Sequence, residues 1–250
     1  MTSRLSLHRG VEAAAGIRGA LVQKGILRKA GDPASDEVLE ELLRQEKILL
    51  ARVALSDKVS AVYMRSEPYA LILLNYTKTL GHQRFSLVHE ICHHFLHKDL
   101  NTWICTVSAY ENRGHEREAN QFAAAFLLPA SSISADFAAH MDQTPDACRA
   151  AIMICDRFQT SWQSTVGRLY DLSLIGRSKR NEMLNCSVKS LARNYGVSLD
   201  LFRASRKLQL PKEFSSLATE LRDRAIISDR KYESLMDDLE ALSECGQTSV

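Results

Sequence analysis

Glycine and proline are scarce in this sequence, at 11 and 5 of 250 residues, which excludes collagen-like repeats and low-complexity chains rich in either. No apolar run approaches the roughly 20 residues a membrane-crossing helix needs. The longest are Ala70–Leu74 and Phe122–Leu128, so no membrane partner is expected. Paired Cys-x-x-Cys motifs are lacking too. Six cysteines are scattered from Cys92 to Cys245, which reads as reduced thiols of a cytoplasmic protein and not as a disulfide framework. Nor does one sign of charge dominate: 32 Lys and Arg against 30 Asp and Glu leave a net +2, which says little about partners. What is present is an ordinary folding composition, 45% apolar and 25% charged, in a chain long enough for two cores.

Periodicity divides the chain. Val11, Ala14, Ile17, Leu21 and Val22 predict an amphipathic N-terminal helix and not a targeting segment, despite the excess of basic residues there. Asp36–Leu55 carries an apolar stripe from Val38 to Val53 at helical spacing, with Ser35 or Asp36 as cap. Val59–Arg65 and Tyr69–Asn75 flank Ser66-Glu67-Pro68 and predict a β-hairpin. Helices follow at Phe85–His97 and at about His115–Leu128, the second stopped by Pro129, with the polar, irregular stretch Lys98–Gly114 between them. Ala130–Thr144, rich in Ser, Ala and Asp, is the expected linker between a first domain at residues 1–130 and a helical one at 145–250. In the latter, Pro145–Phe158 with Ser161–Leu172, and Ser187–Tyr195 with Ser198–Leu208, have helix-turn-helix form, a shape that also builds ordinary bundles.

The chemistry concentrates in His89-Glu90-Ile91-Cys92-His93. Residues four apart stand on one helix face, so His89 and His93 can offer imidazole nitrogens to one metal ion, and Zn²⁺ suits them. Glu90 beside them can deprotonate a water whose pKa the metal has lowered. A third ligand is expected from a second helix, and Glu116, 23 residues after His93, opens one. Glu118 competes for that role but points away from the face of Asn120, which itself could orient a ligating histidine from behind.

The run Arg84-Phe85-Ser86-Leu87-Val88-His89-Glu90-Ile91-Cys92-His93-His94-Phe95-Leu96-His97, followed by Glu116-x-x-Ala119-Asn120-x-Phe122-Ala123-x-x-Phe126-Leu127-Leu128-Pro129, resembles the ImmA/IrrE family of zinc metallopeptidases over about residues 50–130. The family's usual glycine before the second histidine is Cys92 here, a change that removes no ligand. The resemblance implies an α+β fold, a zincin-like metallopeptidase domain with helices on a small β-sheet, followed by an α-helical domain. It implies His89, His93 and Glu116 as zinc ligands and Glu90 as general base. It also implies a zinc-dependent endopeptidase that cleaves a helix-turn-helix repressor to switch on stress-response, mobile-element or phage-defence genes.

Several side chains stay open at this level. Tyr63, His97, Tyr110 and His115 could each steady an oxyanion. Cys105, between the two ligand-bearing helices, is either an inhibitory fourth zinc ligand or a small buried thiol. Arg177, Lys179, Arg180, Lys189, Arg193, Arg203, Arg206, Lys207 and Lys212 could meet phosphates. The alternative function is therefore a nucleic-acid-binding regulator with a vestigial or structural zinc site. Phe158, Trp162 and Tyr170 read as core and not as a base-stacking platform, and the acidic tail from Glu213 as packed helices.

Overall fold

The computed structural model describes residues 2–99, 102–106, 113–205 and 207–247. Helix α1 (Thr2–Gln23) leads to α2 (Asp36–Gln45), three strands β1 (Ile48–Val53), β2 (Val59–Ser66) and β3 (Tyr69–Asn75), and then α3 (Leu80–Leu96). Strand β4 (Thr102–Thr106) and α4 (Arg113–Leu127) complete the first half. Helices α5 (Ala130–Gln143), α6 (Ala147–Phe158), α7 (Trp162–Asp171), α8 (Arg177–Leu184), α9 (Val188–Asn194), α10 (Phe214–Asp223) and α11 (Asp229–Gln247) follow. The fold is α+β, with one four-stranded mixed sheet in the order β1-β3-β2-β4.

The hairpin of β2 and β3 forms as the alternation predicts, antiparallel from Ser66↔Tyr69 to Ala61↔Leu74. The helix expected over Asp36–Leu55 is half strand. Ser35 caps α2 by accepting from the Val38 amide, and Asp36 and Glu37 lie at its positive end. The helix stops at Gln45, Lys47 turns the chain at φ 54°, and Leu49, Leu50 and Val53 join β1. There β1 pairs in parallel with β3, a ladder between distant residues that periodicity within one segment cannot reveal. The irregular stretch after His97 likewise contains β4, an edge strand antiparallel to β2 with Cys105 opposite Ala61.

Helices α3 and α4 pack on each other, and α1 packs on α4. Close approach is enforced at two glycines. A Cβ on Gly10 would lie 2.5 Å from the Glu118 carbonyl oxygen, where α1 meets α4. A Cβ on Gly81 would lie 2.8 Å from the Ser161 amide nitrogen, so the start of α3 abuts the start of α7.

The stretch expected as a linker is helix α5, which buries Ile133 and Phe137 one turn apart. The buried core runs without a break from the sheet through Phe122, Phe126 and Leu128 to Ile152, Phe158, Val166 and Leu169. Buried guanidiniums pin its parts together: Arg84 donates to the carbonyls of Ala34 and Gln159 at 2.5 and 2.9 Å and also pairs with Asp36, while Arg168 donates to Leu128 at 3.1 Å. Helices α6 and α7 stand where expected, α7 capped by Ser161. Phe158 and Trp162 are buried, whereas Tyr170 is partly exposed, a departure from its expected core role.

The second helix-turn-helix pair is not formed. After α9 the chain makes a short 3-10 turn at Asp200–Phe202 that buries Leu201 and Phe202, and further on Gln209 bridges to Arg52 beside β1. Among the described residues, no single helix is long and apolar enough to cross a membrane.

Candidate metal centre

Helix α3 presents His89 and His93 on one face because they are spaced four apart, and His97, its C-cap, continues the row. Thr79 caps this helix by accepting from the His82 amide. Helix α4 brings Glu116 across from α3, and β4 brings Cys105 over the top. The Nε2 atoms of His89 and His93 are 3.2 Å apart. Glu116 places Oε2 3.3 Å from His89 Nε2 and Oε1 3.5 Å from His93 Nε2. Cys105 Sγ lies 3.4 Å from His89 Nε2 and 3.7 Å from Glu116 Oε2. All four residues are buried.

The atoms behind the cluster fix which nitrogen faces it. His89 Nδ1 is 3.0 Å from Asn120 Oδ1, an acceptor, so Nδ1 carries a hydrogen and Nε2 faces the cluster. His97 Nε2 donates to Glu118 Oε2 at 2.9 Å, which leaves His97 Nδ1 as an acceptor. His93 Nδ1, 2.8 Å from it, must therefore donate, and the His93 Nε2 lone pair also turns inward. Burial pushes the pKa of His93 down to about 4 and lowers that of His97, consistent with neutral rings. Burial also disfavours charge on His89, but the facing Cys105 and Glu116 outweigh it and raise its pKa well above the usual imidazole range, so without a metal ion its Nε2 holds a proton that a bound cation would displace.

The inward nitrogens of two imidazoles, a carboxylate and a thiol form an N/O/S donor set that suits a borderline-soft divalent cation, whose binding displaces the protons they hold. Among the described residues, His89, Cys105 and Glu116 are the one group of three such side chains placed to hold a metal ion, their ligand atoms lying within 4.8 Å of one another. Glu90, next to His89, is fully buried, and neither of its oxygens has a hydrogen-bond partner among the described residues. Burial pushes its pKa up to about 7, with His89 opposing. A buried carboxylate left in this state is costly unless something enters the site to use it.

The structure thus brings together the four residues singled out in the sequence and puts Asn120 behind His89. Glu118, the competing carboxylate, serves His97 instead. Of the oxyanion candidates, the Tyr63 hydroxyl is taken up by His94 Nδ1 and Arg65 Nε, each at 3.0 Å, and His97 is engaged in the chain just described. The His115 ring packs on His97 at 4.1 Å, and Tyr110 lies outside the described residues. Cys92 is buried in the core, apart from the cluster. The relay from His93 through His97 to Glu118 was missed in the sequence, although the spacing 89, 93, 97 along one helix face carried the signal.

A family model described as Peptidase_M78, IrrE N-terminal-like domain, matches residues 45–170. That span runs from β1 to α7 and includes every residue of the cluster and of the relay. No curated protein matches the chain.

Proposed function

The chain belongs to the Peptidase_M78 family, with its IrrE N-terminal-like domain, and from that premise we infer that it is a zinc-dependent endopeptidase acting in the cytoplasm on a DNA-binding repressor. The observation that carries this reading is the buried carboxylate of Glu90, whose oxygens meet no hydrogen-bond partner among the described residues, beside the converging donors of His89, His93 and Glu116. A purely structural metal site has no use for such a group.

His89, His93 and Glu116 would hold the ion. Zinc, when bound, polarises a peptide carbonyl and makes water acidic enough to attack at neutral pH. Glu90 takes the proton of the attacking water and returns it to the departing amine nitrogen, a task for which a pKa of about 7 is well matched. Asn120, His97 and Glu118 keep the two rings in the tautomers that face the ion.

The substrate class rests on the resemblance to repressor-cleaving peptidases. The alternative, a nucleic-acid-binding regulator, draws on the basic segment from Arg177 to Lys212, where Lys179 pairs with Glu182 and Lys212 with Glu40. It is less favoured because the start of α7, the end of a recognition helix that would enter a DNA groove, is packed against α3 at Gly81.

The test couples metal analysis to cleavage of a helix-turn-helix repressor encoded beside this chain. Wild type should carry about one zinc per chain, weakened by Glu116→Gln, and cleavage should vanish in Glu90→Gln. Protein that binds no zinc, or cleavage that survives Glu90→Gln, would overturn the reading.

A further inference from the structure

The other donors of the cluster sit on two helices packed against each other, but Cys105 comes from the edge strand β4, joined to the sheet, among the described residues, through β2 alone. Its side chain is 7% exposed, and its sulfur lies 3.4 Å from His89 Nε2 and 3.7 Å from Glu116 Oε2. A catalytic zinc site keeps one position open for water, whereas a site with four protein ligands is closed. Glu90, buried and with no hydrogen-bond partner among the described residues, points to the same conclusion from the other side: the water it would activate competes with Cys105 for one position.

Resting on the zinc-peptidase reading above, we propose that Cys105 is a fourth protein ligand, so that the resting centre is a closed His₂-Glu-Cys site and β4 is a latch on the enzyme. Displacing β4 removes the sulfur and leaves His89, His93 and Glu116 on α3 and α4, which pack directly on each other. The bond that opens is the one between sulfur and metal, and water takes the vacated position. Cleavage therefore waits on whatever pulls this edge strand aside.

Cobalt(II) loaded into the full-length protein in place of zinc tests the ligand directly, because a thiolate bound to cobalt gives a near-ultraviolet charge-transfer band that nitrogen and oxygen ligands do not. Wild type should show this band. Cys105→Ser should lose it while still binding cobalt at the wild-type stoichiometry, with circular dichroism confirming that it folds. Cys186→Ser, which alters a thiol outside the cluster, should keep it. If the closed form is favoured by about 10:1, Cys105→Ser or Cys105→Ala should raise zinc-dependent cleavage about tenfold. Identical spectra in wild type and Cys105→Ser, or loss of the band with no change in cleavage, would overturn the latch and leave the zinc-peptidase reading standing. Failure of wild type to bind cobalt or zinc at all would bring down that reading, and the latch with it.

Discussion

His97 Nδ1 faces His93 Nδ1 at 2.8 Å, and one proton between them decides whether His93 Nε2 turns a lone pair into the metal centre. Glu118 settles the matter by accepting from His97 Nε2, and Arg9 of α1 lies 3.7 Å from the other oxygen of Glu118. A chain of side chains thus runs from the first helix to the heart of the site.

This chain predicts that His97→Phe keeps the fold but weakens zinc binding about 10- to 100-fold, the usual cost of losing the group that orients a ligating histidine. Glu118→Gln, which can still accept the hydrogen bond through its amide oxygen, should lose less. Competition against a chromophoric chelator measures both. Unchanged affinity in His97→Phe would reduce the relay to packing.

How much of this was legible in advance depended on the range of the interactions. The helices bearing His89, His93 and Glu116 and the β2–β3 hairpin announce themselves through local periodicity, and spacing and chemistry put all four residues that the structure brings together among the candidates, Cys105 with a buried thiol as its alternative. Leu49, Leu50 and Val53 fit a helical stripe equally well, and only the distant partner β3 makes them a strand. In α5, just Ile133 and Phe137 are buried, too few to lift a Ser- and Ala-rich segment above linker composition. Leu201 and Phe202 are drawn into the core, which ends the helix expected over Ser198–Leu208 almost as it begins.

Gly81 and Gly10 predict a stability contrast. Gly81→Ala pushes a methyl group to 2.8 Å from the Ser161 nitrogen, and Gly10→Ala to 2.5 Å from the Glu118 oxygen, both backbone atoms that cannot swing aside. Each should cost about 1–3 kcal/mol. Gly16→Ala, also in α1 but with nothing within 4 Å, should be neutral or stabilising by up to about 1 kcal/mol. Thermal or urea unfolding of the three variants compares them, and equal effects at all three would contradict the close approaches.

His82 predicts how stability responds to acid. Its Nε2 meets Ser60 Oγ at 3.0 Å, and burial, aided by the nearby positive charge of Lys78, lowers its pKa below the usual imidazole value. Below about pH 6.5 the unfolded chain therefore binds a proton that the folded chain resists. The contribution is complete above that pH and is lost as pH falls through it toward the depressed folded value. His82→Gln, which can keep the bond to Ser60, should flatten this part of the acid limb. Urea midpoints at about pH 7.5 and about pH 5.5 give the comparison, and an equal drop in wild type and variant would contradict it.

Glu90 makes the sharpest separation between a residue kept for the fold and one kept for chemistry. A side chain retained for stability should destabilise the protein when replaced. Glu90 is fully buried, and neither oxygen has a hydrogen-bond partner among the described residues, so the fold pays for it. An apolar side chain of similar length removes the cost of an unsatisfied buried group, on the order of 1–3 kcal/mol. Glu90→Met should therefore unfold at higher urea than wild type, with both proteins compared free of metal, while cleaving nothing when loaded with zinc. A large drop in stability would instead mean that the carboxylate holds the helix pair together, and its place beside His89 would then reflect architecture, not proton transfer.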